Sequence, residues 1–414
     1  MVFLYNLGIK LYNVLLHVAQ FFNPKARQWV AGRKDIFEII KAKVDPSRQH
    51  IWFHFASLGE FEQGRPVLEH LKKQYPSEGI IITFFSPSGY ELRKNYALAD
   101  HVFYLPIDTA SNAERFIELT NPKLAVFTKY EYWFHYFKTL QRNSIPLLVI
   151  SAIFRKDQPF FKWYGSFNRT TLRFVTHFFV QDASSIELLN SIGLKNATIS
   201  GDTRFDRVAE NAAAPKQFAQ VESFCSGSPV FIAGSTWPED EKLIAGVVKS
   251  YPDWKFVIAP HEIKDEKIKA LEAMLPQQSS VRYSKVTSVA VPNTRVLIID
   301  NIGMLSALYQ YGHIAFIGGG FGVGIHNTLE AAAFGIPVIF GPNYHKFLEA
   351  KALIKNGGGY SISNATELEQ TLLRLQDDAV RKAAGKAAGD FVKNNKGATG
   401  VILGFIAGLK LGLA

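Results

Sequence analysis

Short, apolar runs recur along this chain, and a stretch with helical spacing follows most of them. "IWFHFA" (51–56), "GIIITFFS" (79–86), "HVFYLP" (101–106), "KLAVFT" (123–128), "PLLVIS" (146–151) and "HFFVQD" (177–182) scarcely alternate between apolar and polar. Strands apolar on both faces are covered on both faces, which is the mark of a parallel sheet between helical layers. The rhythm pauses at "RVAENAAAPKQFAQVES" (207–223). It resumes with "SPVFIAGST" (228–236), "WKFVIAPH" (254–261), "RVLIID" (295–300), "HIAFIGGG" (313–320) and "GIPVIFGP" (335–342). With 414 residues, the chain exceeds one ordinary core. The expected fold class is therefore α/β, with two doubly wound domains over 23–208 and 224–414, a linker over 209–223, and residues 1–22 set apart. Ligands bind such sheets outside the carboxyl ends of the strands, so two domains facing each other would share a cleft.

Residues 1–22, "MVFLYNLGIKLYNVLLHVAQFF", are apolar but interrupted by Asn6, Lys10, Asn13, His17 and Gln20. No cleaved signal peptide is expected, because no basic segment precedes the apolar run and no small-x-small site follows it. As a helix the segment suits an interfacial anchor, and Lys25, Arg27, Arg33 and Lys34 beyond it suit anionic headgroups. The plainer alternative is an amphipathic helix packed on its own domain. A formal charge of +10 calls for an anionic partner: nucleic acid, an acidic membrane face or an anionic small substrate. The single cysteine, Cys225, excludes an intrachain disulfide and any multi-cysteine metal site.

Two stretches carry candidate chemistry. "HFASLGEFEQGRP" (54–66) puts Glu60 just after a strand-like run and Gly59, with helical spacing at Val67, Leu68 and Leu71 behind it. A carboxylate at such a junction is a helix cap or a base, and the spacing does not choose. "FIGGGFGVGIHNTLEAAAFGIPVIFGP" (316–342) is denser. Gly318, Gly319 and Gly320 end a strand, and Gly322 and Gly324 keep the next loop bare. Asn327 and Glu330 have capping-box spacing at the start of a helix. The same geometry suits a phosphate on backbone N–H groups and a ribose diol on Glu330. The glycines fall too early for a dinucleotide fingerprint. No H-E-x-x-H or Cys/His spacing points to a metal.

The run "GIHNTLEAAAFGIPVIFGPNYHKF" resembles the nucleotide-binding signature of the bacterial Kdo (3-deoxy-D-manno-octulosonic acid) transferases of lipid A assembly. The resemblance continues in order along nearly the whole chain. "HFASLGE" is similar to that family's H-x-x-S-x-G-E segment, "TKYEYW" (128–133) to its E-L-W segment, and "SGDTRFD" (200–206) to its G-x-x-K-F-D segment. "AGSTWPEDE" (233–241) resembles an S-T-x-x-x-E-E loop and "IDNIGMLSALY" (299–309) a D-x-x-G-E-L segment. The resemblance implies a GT-B glycosyltransferase of two Rossmann-like domains around an interdomain cleft. It implies Glu60 as general base, Glu131 in an acceptor-side or transition-state role, and Arg204 as a cation for the phosphate leaving group. Donor contacts fall on Pro260, His261, Ile302, Gly303, Met304, Asn327, Thr328, Leu329 and Glu330. It further implies CMP–Kdo as donor, no metal or other cofactor, and a lipid A precursor as acceptor. The anionic inner membrane, on its cytoplasmic face, is the expected location, and no nucleic-acid partner is expected.

The chain departs from that pattern in places. "APHEIKD" (259–265) stands where the family has P-R-H-P-E-R, so the arginine expected near the CMP phosphate is missing, and Lys264 or His345 are candidate substitutes. Met304 replaces a glutamate, Lys129 replaces the first glutamate of E-x-E-L-W, and Arg204 replaces a lysine. His54 is expected to pack behind the loop, and His326 to lie beside the donor. Two other functions compete: a UDP-sugar transferase or epimerase on the same architecture, and a non-catalytic protein that binds lipid or nucleic acid.

Overall fold

The computed structural model describes residues 1–286 and 294–413. In the first half, β1 (His50–Phe55), β2 (Gly79–Phe84), β3 (His101–Tyr104), β4 (Pro122–Thr128), β5 (Leu147–Ala152), β6 (His177–Val180) and β7 (Ala197–Ile199) form one sheet. In the second, β8 (Val230–Thr236), β9 (Lys255–Pro260), β10 (Ser280–Arg282), β11 (Val296–Ile298), β12 (Ile314–Ile317), β13 (Val338–Phe340) and β14 (Gly359–Ser361) form another. The orders are β3-β2-β1-β4-β5-β6-β7 and β10-β11-β9-β8-β12-β13-β14. Neighbours pair in parallel throughout; Phe53 lies opposite Ile82 on one side and Val126 on the other. Both sheets have helices in their crossovers, so the two halves are Rossmann-like, as the apolar runs imply.

Each sheet has one place where the winding reverses, between β1 and β4 in the first and between β8 and β12 in the second. The residues that leave the carboxyl ends of those four strands are the ones a ligand would meet. The central strands are fully buried: β1, β2 and β5 show no exposed position. The three strands without an apolar signature, β7, β10 and β14, are three-residue strands at sheet edges with mostly half-exposed or exposed side chains. Side chains left partly in water there are under little selection for an apolar run.

The chain divides into a unit of residues 1–206 with 397–414 and a unit of residues 207–396. The expected assignment of all of 224–414 to the second domain is corrected at its end. A helix over Ala398–Gly408 buries Ile402 and Ile406 against the first sheet. Phe405 stacks on His177 at 4.4 Å, and Asp206 accepts the backbone N–H groups of Gly397 and Thr399. Nor is the stretch expected as a linker plain coil: helices span Arg204–Ala213 and Ala219–Cys225.

The N-terminal segment is a helix over Val2–Ala19, long and apolar enough to cross a membrane, and none of its residues is buried. It rests on the first unit by its more polar face. Tyr5 donates to Asp108 at 2.5 Å, Asn6 Oδ1 meets His135 Nε2 at 2.6 Å, and Tyr12 lies edge-on to Trp29. Phe3, Leu4, Leu7, Leu11, Val14, Leu15 and Val18 point outward. Arg33, expected to reach headgroups, instead turns inward. It donates to the carbonyls of Trp29, Leu105 and Phe85 and stacks on the Trp29 ring at 3.8 Å. Burial lowers its pKa to about 9.

Candidate active site

Glu60 and Glu131 follow β1 and β4, the two strands at the reversal of the first sheet. Glu60 sits in the first turn of the helix Leu58–Gln74, whose starting residue Ser57 provides no side-chain cap. Gly64 lets that helix approach the sheet: a Cβ there would come within 2.2 Å of Phe55 and 3.0 Å of the Thr128 hydroxyl. Glu60 Oε2 accepts the Ala56 N–H at 2.7 Å, while Oε1 has no hydrogen-bond partner among the described residues. One oxygen is thus a cap, and the other is left for a proton. Burial, and then the neighbouring charge of Glu131, push the Glu60 carboxyl up to about 8, against the Ala56 hydrogen bond and the Lys129 cation. That is the cost of holding a charge out of water beside a like charge.

Glu131 is oriented from behind. Its Oε2 accepts the Trp133 indole N–H at 2.8 Å and lies 3.4 Å from His54 Nε2. Trp52 Nε1 donates to the Thr83 hydroxyl at 2.8 Å, and His54 Nδ1 is 2.8 Å from the same oxygen. The hydroxyl has one proton, so passing it to Nδ1 satisfies the chain and leaves Nε2–H to face Glu131. Burial lowers the His54 pKa, so the ring is a neutral support, packed as expected. Lys129 adopts a left-handed backbone (φ 65°) straight after β4, a conformation that a non-glycine side chain pays for.

Arg204 pairs with Asp202, Nη2 to Oδ2 at 2.8 Å and Nε to the same oxygen at 2.9 Å. Burial pushes Asp202 up, but the guanidinium and its hydrogen bonds outweigh that and hold the carboxyl below its ordinary value. Asp206, two residues on, is taken up by the C-terminal helix. The Arg204 segment joins the Glu60 helix through groups that no motif indicated. Gln63 Nε2 donates to Asp202, Thr203 donates to the Gln63 carbonyl, and Ser151 meets the Thr203 hydroxyl at 3.0 Å. Only the short polar residues inside "SGDTRFD" hinted at this.

In the second unit, β8 and β12 likewise flank the reversal. Gly320 and Gly341 approach so closely that a Cβ on Gly320 would sit 2.5 Å from the Gly341 nitrogen. Asp240 Oδ2 accepts the N–H groups of Trp237 and Gly319, and its Oδ1 is buried without a hydrogen-bond partner among the described residues. Three rings gather there. His261 stacks on Trp237 at 4.7 Å and on His326 at 4.5 Å, and Trp237 Nε1 donates to His326 Nε2 at 3.1 Å. Burial and His261 lower His326 to about 4, so its proton is on Nδ1.

The helix expected to begin at Asn327 spans only Leu329–Ala332, one turn, with little macrodipole to offer a phosphate. Asn327 Oδ1 accepts the Leu329 N–H, and its amide donates to Glu330 Oε1 at 3.0 Å. Glu330 therefore meets the side chain of Asn327. Leu329 is buried, and the Thr328 hydroxyl is buried without a partner among the described residues. Of the remaining residues expected at the donor, Pro260 ends β9 and exposed His261 follows it. Ile302 is exposed, Gly303 takes φ 91°, and Met304 is buried, so its side chain is withdrawn. Lys264 is exposed before the helix Asp265–Met274. His345, also exposed, lies on the segment that Asn343 ties to the carbonyls of Gly320 and Gly322.

Residues 32–207 match the family model described as 3-deoxy-D-manno-octulosonic-acid transferase (kdotransferase). Curated relatives carry the same description. The Haemophilus influenzae protein is 27% identical over 91% of this chain and 90% of its own. The Rickettsia felis protein is 27% identical over 84% and 77%, and the Aquifex aeolicus protein 27% over 78% and 85%. The chain is similar to Kdo transferases over most of its length, and its first half matches their family model. It is a glycosyltransferase. Solved structures share the fold of this chain at low identity. A UDP-GlcNAc 2-epimerase from Neisseria meningitidis, bound to UDP-GlcNAc, aligns with TM-score 0.59 at 17% identity, over 87% of this chain and all of its own (100%). A glycosyltransferase from Rickettsia africae aligns with TM-score 0.56 at 14% identity, over 86% and 97%.

Proposed function

We propose that the protein transfers Kdo from CMP–Kdo to a lipid A precursor, with inversion and without a metal cofactor. The observation that carries this reading is Glu60. It is a desolvated carboxylate at the reversal of the first sheet, with one oxygen fixed and one open, in a chain similar to Kdo transferases. With its pKa near the working pH, it removes the proton of the acceptor hydroxyl as that oxygen attacks the anomeric carbon; general-base help of this kind contributes about 10²–10⁴ in rate. CMP leaves with a single phosphate, and a single displacement inverts the centre. Arg204, oriented by Asp202, stabilises charge on the departing phosphate. Glu131, held by Trp133 and His54, serves the acceptor side. The glycine loop, the Trp237–His261–His326 cluster and Glu330 hold the donor nucleotide.

The helix over Val2–Ala19 keeps the enzyme on the cytoplasmic face of the inner membrane, its apolar face in the acyl boundary and basic residues beside anionic headgroups. The decisive experiment is mass analysis of the product formed from CMP–Kdo and a tetra-acylated lipid A precursor. A Kdo adduct supports the reading, and its absence with a folded protein overturns it. A UDP-sugar activity is the second reading, because the epimerases share the architecture. Thermal protection by UDP but not by CMP would select it. Removal of residues 1–22 should weaken recovery with membranes while CMP protection survives. If the shortened protein stays fully membrane-bound, the anchor lies elsewhere.

A further inference from the structure

We propose that the loop over residues 155–165 is a second membrane-contact element, placing Trp163 and Tyr164 in the headgroup zone of an anionic bilayer. This rests on the membrane location proposed above. Trp163 is 91% exposed and Tyr164 52% exposed, with their rings edge to face at 5.5 Å. An exposed indole on a loose loop would mean little, but this loop is tightly built. Successive backbone hydrogen bonds close it, from Gln158 to Arg155, Phe161 to Gln158, Lys162 to Pro159 and Gly165 to Lys162. Arg169 clamps the carbonyls of Phe160 and Lys162, and a Cβ on Gly165 would collide with the Pro159 carbonyl at 1.8 Å. Phe160 is buried beneath, against Phe154 and Tyr132. The fold thus spends its apolar side chains on anchoring the loop and holds two amphipathic rings outward, so little ordering entropy remains to be lost on contact.

The loop's charge and position both favour a bilayer interface. Arg155, Lys156 and Lys162 flank the rings, with Asp157 the one acid. Tryptophan and tyrosine beside lysine and arginine is the composition of the membrane–water boundary. Two residues past the loop, Phe167 packs on Tyr5 of the N-terminal helix at 5.4 Å and on Phe134 at 4.8 Å. The loop is therefore continuous with the element whose outward face is apolar. Toward the candidate active site, the Arg155 cation acts on the Tyr130 phenol, which also feels Glu60. A membrane contact here holds the site of Glu60 close to the lipid surface.

The test uses the full chain and vesicles of phosphatidylcholine and phosphatidylglycerol with brominated acyl chains, which quench indoles that reach them. Wild-type protein should lose an emission component that Trp163→Phe lacks. Replacing Trp163 and Tyr164 together by serine should weaken vesicle partition about five- to tenfold and leave CMP-induced thermal protection unchanged. Equal quenching in wild type and Trp163→Phe, with both proteins bound to the vesicles, overturns the proposal and leaves the helix anchor standing. If neither protein binds vesicles, the membrane location fails and this inference with it.

Discussion

The two candidate half-sites occupy the same place in two similar sheets but are built from opposite materials. After β1 and β4, the first unit gathers charge: Glu60, Glu131, Lys129, and the Asp202–Arg204 pair. Its carboxylates are taken partly out of water and held by indole, imidazole and amide groups. After β8 and β12, the second unit gathers close backbone contacts and stacked rings around the buried Asp240 carboxylate, with His326 lowered by burial and stacked on His261. The difference teaches what each half is suited to do. A desolvated charge has a tunable pKa and moves protons. Bare backbone and flat rings receive a ligand by shape and hydrogen bonding.

The largest effect should follow from removing the tuned charge. Glu60→Gln keeps the shape, and it should lower transfer by about 10²–10⁴ while CMP protection against melting persists. Turnover near wild type would leave Glu60 as a cap only. The same variant has a signature in stability. Folding raises this carboxyl from 4.5 to about 8, so between those values the folded chain binds more protons than the unfolded one. Stability contributed by the group is present below 4.5 and is lost as pH rises toward 8, whereas ionised base, and with it transfer, increases across that window. Glu60→Gln should flatten the fall in melting temperature between pH 5 and 8. An unchanged slope would show that Glu60 is not the group titrating there.

On the other side of the comparison, Glu330→Ala should raise the CMP concentration needed for thermal protection. Losing a charged partner costs roughly 1.5–3 kcal/mol, about ten- to a hundredfold in affinity. The apo protein loses the bond from the Asn327 amide and should melt lower. If the apo form softens while the CMP-induced shift is unchanged, some other group holds the ribose.

Much of this comparison is legible in the sequence. Uniformly apolar runs define the central strands because both faces of a parallel sheet are covered, and strand ends followed by Glu60 or by the glycines mark the places where ligands meet such sheets. What escaped is long-range. Nothing near Gln63 announces that it will meet Asp202, 139 residues away. Ile402 and Ile406 read as an ordinary apolar tail until Asp206 captures the start of their helix. Arg33 looked like a headgroup ligand because its charge shows in the sequence and its three carbonyl partners do not. The four-residue turn at Leu329–Ala332 was misjudged for a local reason. Alanine-rich spacing favours a helix, but Gly335 takes φ 68° and the chain turns into β13.

A smaller change probes the coupling inside the charged half. Glu131 is the second cause, after burial, that raises Glu60. Removing its charge in Glu131→Gln should let Glu60 ionise more easily, shifting the acid limb of the residual pH–rate profile downward by on the order of one pH unit. An acid limb that stays in place would separate the two carboxylates and confine Glu131 to holding the acceptor.

The smallest expected effect belongs to the ring cluster. Trp237→Phe keeps an aromatic face for His261 to stack on but deletes the N–H that His326 Nε2 accepts at 3.1 Å. A neutral hydrogen bond of this kind contributes about 0.5–1.5 kcal/mol net, and His326 is only half-buried, so water can take the donor's place. A loss near 1 kcal/mol lowers the melting temperature by about 2–4 °C in a domain of this size. The proton on His326 is then no longer confined to Nδ1, but burial and His261 still hold the ring neutral near pH 7. If this half receives the donor by shape, the CMP-induced shift should fall by less than about threefold in equivalent affinity, because one neutral hydrogen bond weighs so little. A far larger loss, with the apo melting point intact, would mean that the indole N–H or the His326 tautomer itself meets the nucleotide. The second half-site would then depend on a positioned proton, as the first does, and the contrast between the two would narrow to charge alone.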